Sequence, residues 1–287
     1  MGVCCRFNAT YTVLAAAAVK FRIMILRRLG NKSQIAGEIQ KYFPQHSIYI
    51  EPFFGAGGMF FNKPKVKTNI VNDVDGDVFN LFQVVSNRYT ELQECFFSMP
   101  IHSDLLEYWN KNEETDEIKK ALRFLLISNF TFLGKGNTLA LGISRTGTRE
   151  RKIEIGKKIN DVNKMLFDVQ FANYDFRKFL SSISFDDRGG KWETANSLIY
   201  ADPPYLNTDD NYSQSFQEQD ASDLFDCLIE TNCKFAYSEF DHPFILEQAE
   251  KRGLNVIVIG ERQNLKNRRT EILVTNYKKP LSLFDGV

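Results

Sequence analysis

Short apolar runs, separated by polar and glycine-rich stretches, set the pattern of this chain. Runs at 48–52, 69–72, 168–172, 198–202, 234–238, 255–259 and 271–276 have the length and the β-branched and aromatic content of buried strands. Most of them alternate with stretches of helical periodicity. Such alternation predicts an α/β fold, a largely parallel sheet with helices on both faces, whose ligands bind beyond the carboxyl ends of the strands. Between 86 and 165 the alternation stops. Helical spacing appears there at 105–109 and 118–128, so this segment reads as a mainly helical insertion that splits the sheet-bearing domain into 24–85 and 166–287. Its later part, 129–148, places four glycines among alternating apolar and polar residues. That is the pattern of a β-hairpin and a loop running into a basic helix.

The 287 residues are enough for one large catalytic domain with an insertion. Hydrophobic residues at 43% and charged residues at 25% fit a folded globular chain, with no low-complexity tract. Thirty-six basic side chains balance thirty-six acidic ones, so any nucleic-acid surface has to be local. The basic stretches 145–158 and 262–269 are candidates, with a solvated surface face as the plain alternative for each. The five cysteines, at 4, 5, 95, 227 and 233, are odd in number and lack CxxC spacing. They point to neither a zinc site nor a disulfide framework, and they predict a reducing compartment, the cytoplasm. The apolar run 11–19 is too short to span a bilayer, and Arg6 stands where an N-myristoylation signal needs Ser or Thr. Residues 1–23 are expected to form an extension ahead of the domain: dispensable and disordered, the product of an upstream mis-start, or folded as a short helix upon it.

Chemistry enters where the strands end. Phe53-Phe54-Gly55-Ala56-Gly57-Gly58 falls at a strand-to-helix turn, where glycine permits a tight bend and close approach of a ligand to the backbone. Phe60 stands where a dinucleotide fingerprint needs its third glycine, which counts against a nicotinamide oxidoreductase. Asp73 closes the next strand; a carboxylate there suits a ribose hydroxyl pair, or caps the helix beginning near Gly76. Asp202-Pro203-Pro204-Tyr205 is the most specific signal. Two successive prolines remove two backbone donors and hold a rigid, extended turn directly after a buried strand. The Asp202 carboxylate and the Pro203 carbonyl can then accept hydrogen bonds from one amino group, while Tyr205 offers a ring for stacking a base. The plain alternative is a proline turn with a capping Asp. No cysteine lies near either motif, and cytosine-C5 chemistry needs a thiolate.

The 53–57 turn resembles the FxGxG cofactor motif, and 202–205 the DPPY catalytic motif, of amino-methyltransferases that act on DNA. The order of cofactor motif, target-recognition insert and catalytic motif resembles the Dam-type D12 class of adenine-specific N6 DNA methyltransferases. Leu29-Gly30-Asn31-Lys32 looks like that group's amino-terminal cofactor segment, with Asn31 in place of its second glycine. Asn173-Tyr174-Asp175-Phe176 is similar to its Asp-Phe segment, and Glu271-Ile272-Leu273-Val274-Thr275-Asn276 to its last-strand signature.

The resemblance implies a seven-stranded Rossmann-like sheet binding S-adenosyl-L-methionine. It implies an enzyme that moves the methyl group, at a specific site, to the N6 amine of an adenine flipped from duplex DNA. In that reading Lys32 contacts the methionine part of the cofactor, and Phe53, Phe54, Gly55 and Gly57 cradle it. Asp73 holds the ribose, and Asp175 with Phe176 holds the adenine, Asp175 being a candidate helix N-cap as well. Asp202, Pro203, Pro204 and Tyr205 are catalytic, with Asp202 also beside the cofactor. Tyr212 and Phe216 match an aromatic pair that orders the loop over the flipped base, or else pack the core. Asn129, Lys135, Asn137 and Arg145 are the insert's candidates for base edges or phosphates, and Arg268 and Arg269 are candidates for phosphates. No metal is implied. A cognate restriction endonuclease is a candidate partner, a monomer or weak dimer the expected state, and the cytoplasm of a bacterium or phage-infected host the expected location. RNA adenine methylation and a non-catalytic cofactor- and DNA-binding module stand as alternatives.

Overall fold

All seven apolar runs enter one sheet. The structure, a computed structural model, describes residues 23–27, 31–131, 134, 147–185, 191–206, 216–263 and 268–278. Its strands are β1 (Ile48–Glu51), β2 (Thr68–Asn72), β3 (Val169–Ala172), β4 (Ser197–Ala201), β5 (Lys234–Phe240), β6 (Asn255–Gln263) and β7 (Arg268–Thr275), in the order β3-β2-β1-β4-β5-β7-β6. The first five pair in parallel, with Ile50 opposite both Ile70 and Ile199. β7 runs antiparallel between β5 and β6, with Tyr237 opposite Val274. All five residues of β4 are buried, as a central strand covered on both faces requires. From β1 the chain winds outward through β2 to β3, and from β4 it winds the other way to β5. The switch point therefore lies between β1 and β4, and a crevice opens beyond their carboxyl ends.

The helices are α1 (Ala36–Gln40), α2 (Gly76–Asn87), α3 (Tyr89–Ser98), α4 (Ser103–Lys111), α5 (Glu117–Phe130), α6 (Thr148–Leu166), α7 (Phe176–Ser182), α8 (Lys191–Ala195), α9 (Glu218–Glu230) and α10 (Pro243–Lys251). One face of the sheet packs through Ile50, Ile199 and Phe235 on α7, α9 and α10, with Phe179, Leu224, Phe225 and Ile245 buried there. The other face packs through Tyr49, Val71 and Leu198 on Leu81 and Phe82 of α2, and that cluster runs on into Leu122 and Leu125 of α5 and Ile159 and Val162 of α6. Each such leucine contributes about 1.5–3 kcal/mol by leaving water. The helices of 86–165 thus share a core with the sheet, and removing them would open that face.

The segment before the sheet is stapled to the end of α5. Ile25 and Leu26 are buried, Arg27 N donates to Ser128 Oγ (2.7 Å), and Ser128 Oγ donates to Arg27 O (3.1 Å). Of the expected extension, residues 1–22 lie outside the described residues, as does most of the hairpin expected in 129–148. No helix of the described residues is long and apolar enough to cross a membrane.

Candidate active site at the carboxyl ends of the strands

The glycine turn follows β1 and is held by its neighbours. Gly55 and Gly57 adopt positive φ of 53° and 70°, a backbone that side-chain-bearing residues adopt at a cost. A Cβ on Gly57 would strike the Phe61 ring and come within 2.9 Å of Phe54 Cζ, whereas a Cβ on Gly55 would meet nothing within 4 Å. Gly57 is therefore fixed by packing, and Gly55 borders open space over the strand ends. The Phe54 ring is buried among Phe60, Phe61, Phe82 and Phe171, so any part of Phe54 in a cradle is its backbone's.

Asp73 accepts from Gly55 N at 2.6 Å and from Asp75 N at 2.9 Å. The cap of α2 is Asp75, which accepts from Asp77 N and Val78 N, so the capping alternative for Asp73 gives way to a role in shaping the glycine turn. Asn72 and Asn173 lace this corner together: Asn72 Nδ2 donates to Pro52 O and Tyr174 O, and Asn173 Nδ2 donates to Asp73 O. Asp175 caps α7 by accepting from Arg177 N at 3.0 Å. Phe176 lies 5.5 Å from Phe53 and 6.0 Å from Phe216, and Phe216 lies 6.2 Å from Phe53, forming a three-ring cluster beside the glycine turn.

Asp202 leaves the end of β4 and meets Lys32, whose Nζ is 2.8 Å from Asp202 Oδ1 and 3.4 Å from Glu271 Oε1. Lys32 is only 3% exposed and its ammonium sits 4.2 Å from the centre of the Tyr205 ring. It begins a short 3-10 turn, Lys32–Gln34, which Asn31 caps by accepting from Ser33 N. Asn31, the departure from the family's second glycine, therefore has a local structural use. The Tyr205 hydroxyl donates to Glu271 Oε1 and lies 3.2 Å from Ser238 Oγ, while Ser238 Oγ donates to Glu271 at 2.7 Å. The Tyr205 ring packs edge-on with Phe240, centroids 4.6 Å apart. Glu239 accepts from Phe240 N (2.8 Å) and Leu206 N (3.3 Å), tying down the residue after the tetrad.

Burial pushes the Asp202 carboxyl up, Lys32 pulls it down, and Glu271 pushes it up again. Burial also raises Glu239, to about 8, and raises Glu51, which accepts from the Tyr49 hydroxyl at 2.8 Å. Sequence reasoning assigned no site role to Glu51, Glu239 or Glu271. Their signal was an acid embedded in an apolar run, an expensive placement that calls for a reason.

The DNA-contact candidates fare unevenly. Asn129 is corrected: it is 4% exposed and its amide donates to Ile25 O and Leu125 O, so it holds the chain together instead of reading bases. Arg268 opens β7, and the guanidinium of Arg269 lies 5.3 Å from the Phe240 ring centre. Lys135, Asn137, Arg145 and Tyr212 lie outside the described residues. Within the basic stretch 145–158, Lys152 donates to Phe97 O and Met99 O, and Lys158 pairs with Glu154, so part of its charge is spent inside the fold.

A family model described as D12 class N6 adenine-specific DNA methyltransferase matches residues 29–270. The chain is 22% identical to the DNA adenine methylase of Escherichia coli (strain K12) over 252 residues, 82% of this chain and 86% of that one. It is 21% identical to the type II methyltransferase M1.LlaDCHI of Lactococcus lactis subsp. cremoris over 280 residues, 86% and 93% of the two chains. To the DNA adenine methylase of Haemophilus influenzae it is 26% identical over 195 residues, 63% of each. A solved Streptococcus mutans protein in complex with SAH covers 85% of this chain and 97% of its own at 8% identity and a TM-score of 0.37, too slight a likeness to bear on the site. The matched span contains the glycine turn, the insertion and the tetrad in one order, and the chain belongs to the D12 class of N6 adenine-specific DNA methyltransferases, enzymes that methylate DNA adenine with S-adenosylmethionine as donor.

Proposed function

We propose that this enzyme methylates, at a specific sequence, an adenine flipped out of duplex DNA, and that Asp202 and Pro203 accept the hydrogen bonds of its N6 amine. The observation that carries this reading is the placement of Asp202, at the end of β4 beside the switch point and paired with a buried lysine 2.8 Å away. The residues present fit the cofactor: Gly55 borders open space at the strand ends, so backbone there is approachable without steric conflict. Phe53 and Gly57 shape that cradle, Asp73 holds the turn and meets the ribose, and Asp175 and Phe176 face the adenine moiety. When bound, the cofactor supplies an activated methyl group on a sulfonium.

An exocyclic aromatic amine is a poor nucleophile because its lone pair is delocalised into the ring. Two hydrogen bonds accepted from it, by the Asp202 carboxylate and the Pro203 carbonyl, localise that pair on nitrogen. Lys32 favours the ionised form of Asp202 for this task, against burial and Glu271, which raise its pKa. The two prolines hold the carbonyl in place, and Tyr205, anchored through its hydroxyl, presents a fixed ring to the base. A stacked, paired adenine cannot reach these groups, so it must leave the helix. Arg268 and Arg269 are assigned to phosphates, Phe216 to ordering the loop over the base, and Lys135, Asn137, Arg145 and Tyr212 to DNA. The Lactococcus lactis relative, named a type II methyltransferase, supports a cognate restriction endonuclease as partner. Action as a monomer or weak dimer in the cytoplasm completes the reading.

The test is transfer of labelled methyl from S-adenosylmethionine to unmethylated duplex DNA by wild type and by Asp202→Ala, followed by nucleoside analysis. N6-methyladenine from wild type alone is expected. Equal labelling by the variant, or label accepted by RNA and refused by DNA, would overturn the assignment.

A further inference from the structure

We propose that Glu271 is a positioning residue for methyl transfer: from the antiparallel strand β7 it fixes Tyr205 and shares Lys32 with Asp202. This rests on the tetrad being the catalytic group. Glu271 has no exposed surface, and an ionised carboxylate is costly to bury without partners. Its Oε1 meets the Tyr205 hydroxyl, Ser238 Oγ and Lys32 Nζ, so these three partners, which help to compensate its burial, are also neighbours of the catalytic turn.

Register explains how one strand reaches the turn. Glu271 lies opposite Phe240, and Ser238 stands two residues from Phe240 on the same strand, so all three share one face of the sheet. Each of the three touches Tyr205. Glu239 points to the opposite face and holds Leu206 N, so the turn is gripped from both sides. A packing role alone would be served more cheaply by an apolar residue, because only a carboxylate both accepts from the tyrosine and answers the lysine.

The charge has a readable consequence. Lys32, Glu51 of β1, Glu239 of β5 and Glu271 of β7 all act on Asp202 or are acted upon by it. The charge of Glu271 raises the Asp202 pKa, so Glu271→Gln lets Asp202 stay ionised to lower pH, and the acid limb of the rate moves down.

The experiment compares wild type, Glu271→Gln, Tyr205→Phe and the double variant as full-length enzymes. For Glu271→Gln we expect kcat to fall about tenfold or more, KM for cofactor and DNA to stay within about threefold, and the acid limb to shift to lower pH. The double variant should lose less than the product of the two single losses, because the Tyr205–Glu271 bond is common to both. Unchanged kcat per folded molecule with an unmoved acid limb, or losses that multiply, would overturn the proposal. Should Glu271→Gln fail to fold, Tyr205→Phe interrogates the same bond from its other end, and full activity there overturns it equally. Activity surviving Asp202→Ala would instead strike at the tetrad, separating the two failures.

Discussion

The Lys32 ammonium rests 2.8 Å from Asp202 Oδ1, joining the turn before α1 to the turn after β4. Lys32 lowers the Asp202 pKa against the upward push of burial. Lys32→Met should therefore move the acid limb of methyl transfer to higher pH, opposite to Glu271→Gln, and cut the neutral-pH rate by about a hundredfold. Single-turnover rates across the pH range check both, and a limb that stays put rejects the pairing as functional.

The two positive-φ glycines of the turn after β1 should respond differently to alanine. At Gly55 the new methyl meets no protein atom, so the melting temperature should drop only by the backbone cost of about 1 kcal/mol, while cofactor affinity falls more steeply. At Gly57 the methyl collides with Phe61 and crowds Phe54, so stability itself should collapse. Calorimetric titration with S-adenosylmethionine beside thermal melts separates the cases; equal affinity loss without destabilisation in both would contradict the geometry.

Glu239 predicts a pH slope in stability. Its carboxyl sits at about 8 in the folded chain against an ordinary 4.5. Between those values the folded state keeps a proton that the unfolded chain has released, so this contribution is full below the lower value and lost as pH rises through the upper one. Wild-type melting temperature should decline across that window, and Glu239→Gln should flatten the decline. A variant with an undiminished slope would show that the titration lies elsewhere.

Asn129→Ala should cost about 1–3 kcal/mol, because it removes the buried amide donor of the Ile25 carbonyl and an additional donor of the Leu125 carbonyl. The methylated DNA sequence should not change. A shifted recognition sequence in a stably folded variant would restore Asn129 to base reading.

The central strands were legible because a buried sheet demands apolar runs, and all seven runs entered it; the edge strands β3 and β6 are not buried as their runs suggested, with Val256 and Val258 exposed. Local turn chemistry was legible too, since two prolines after β4 and glycines after β1 restrict the backbone whatever surrounds them. What escaped was long-range. Nothing near Glu271 or Glu239 announces that a carboxylate will meet Lys32 or Leu206 across the sheet. Asn129 misled for the same reason: its amide suits a base edge as well as a buried carbonyl, and only packing chose between them. The helices of 86–165 were found by their period, but their continuity with the core of α2 depends on contacts that periodicity does not encode.

β7 is the last of the seven strands in the chain, yet it lies between β5 and β6. During synthesis, β6 emerges with no neighbour to pair with, and it can join the sheet only as half of a hairpin once β7 has followed. A nascent chain then holds its glycine turn, Lys32 and the tetrad while still lacking Glu271. On the proposed reading, the brace on Tyr205 is therefore the last part of the site to be assembled, because it waits for the β6–β7 hairpin to close.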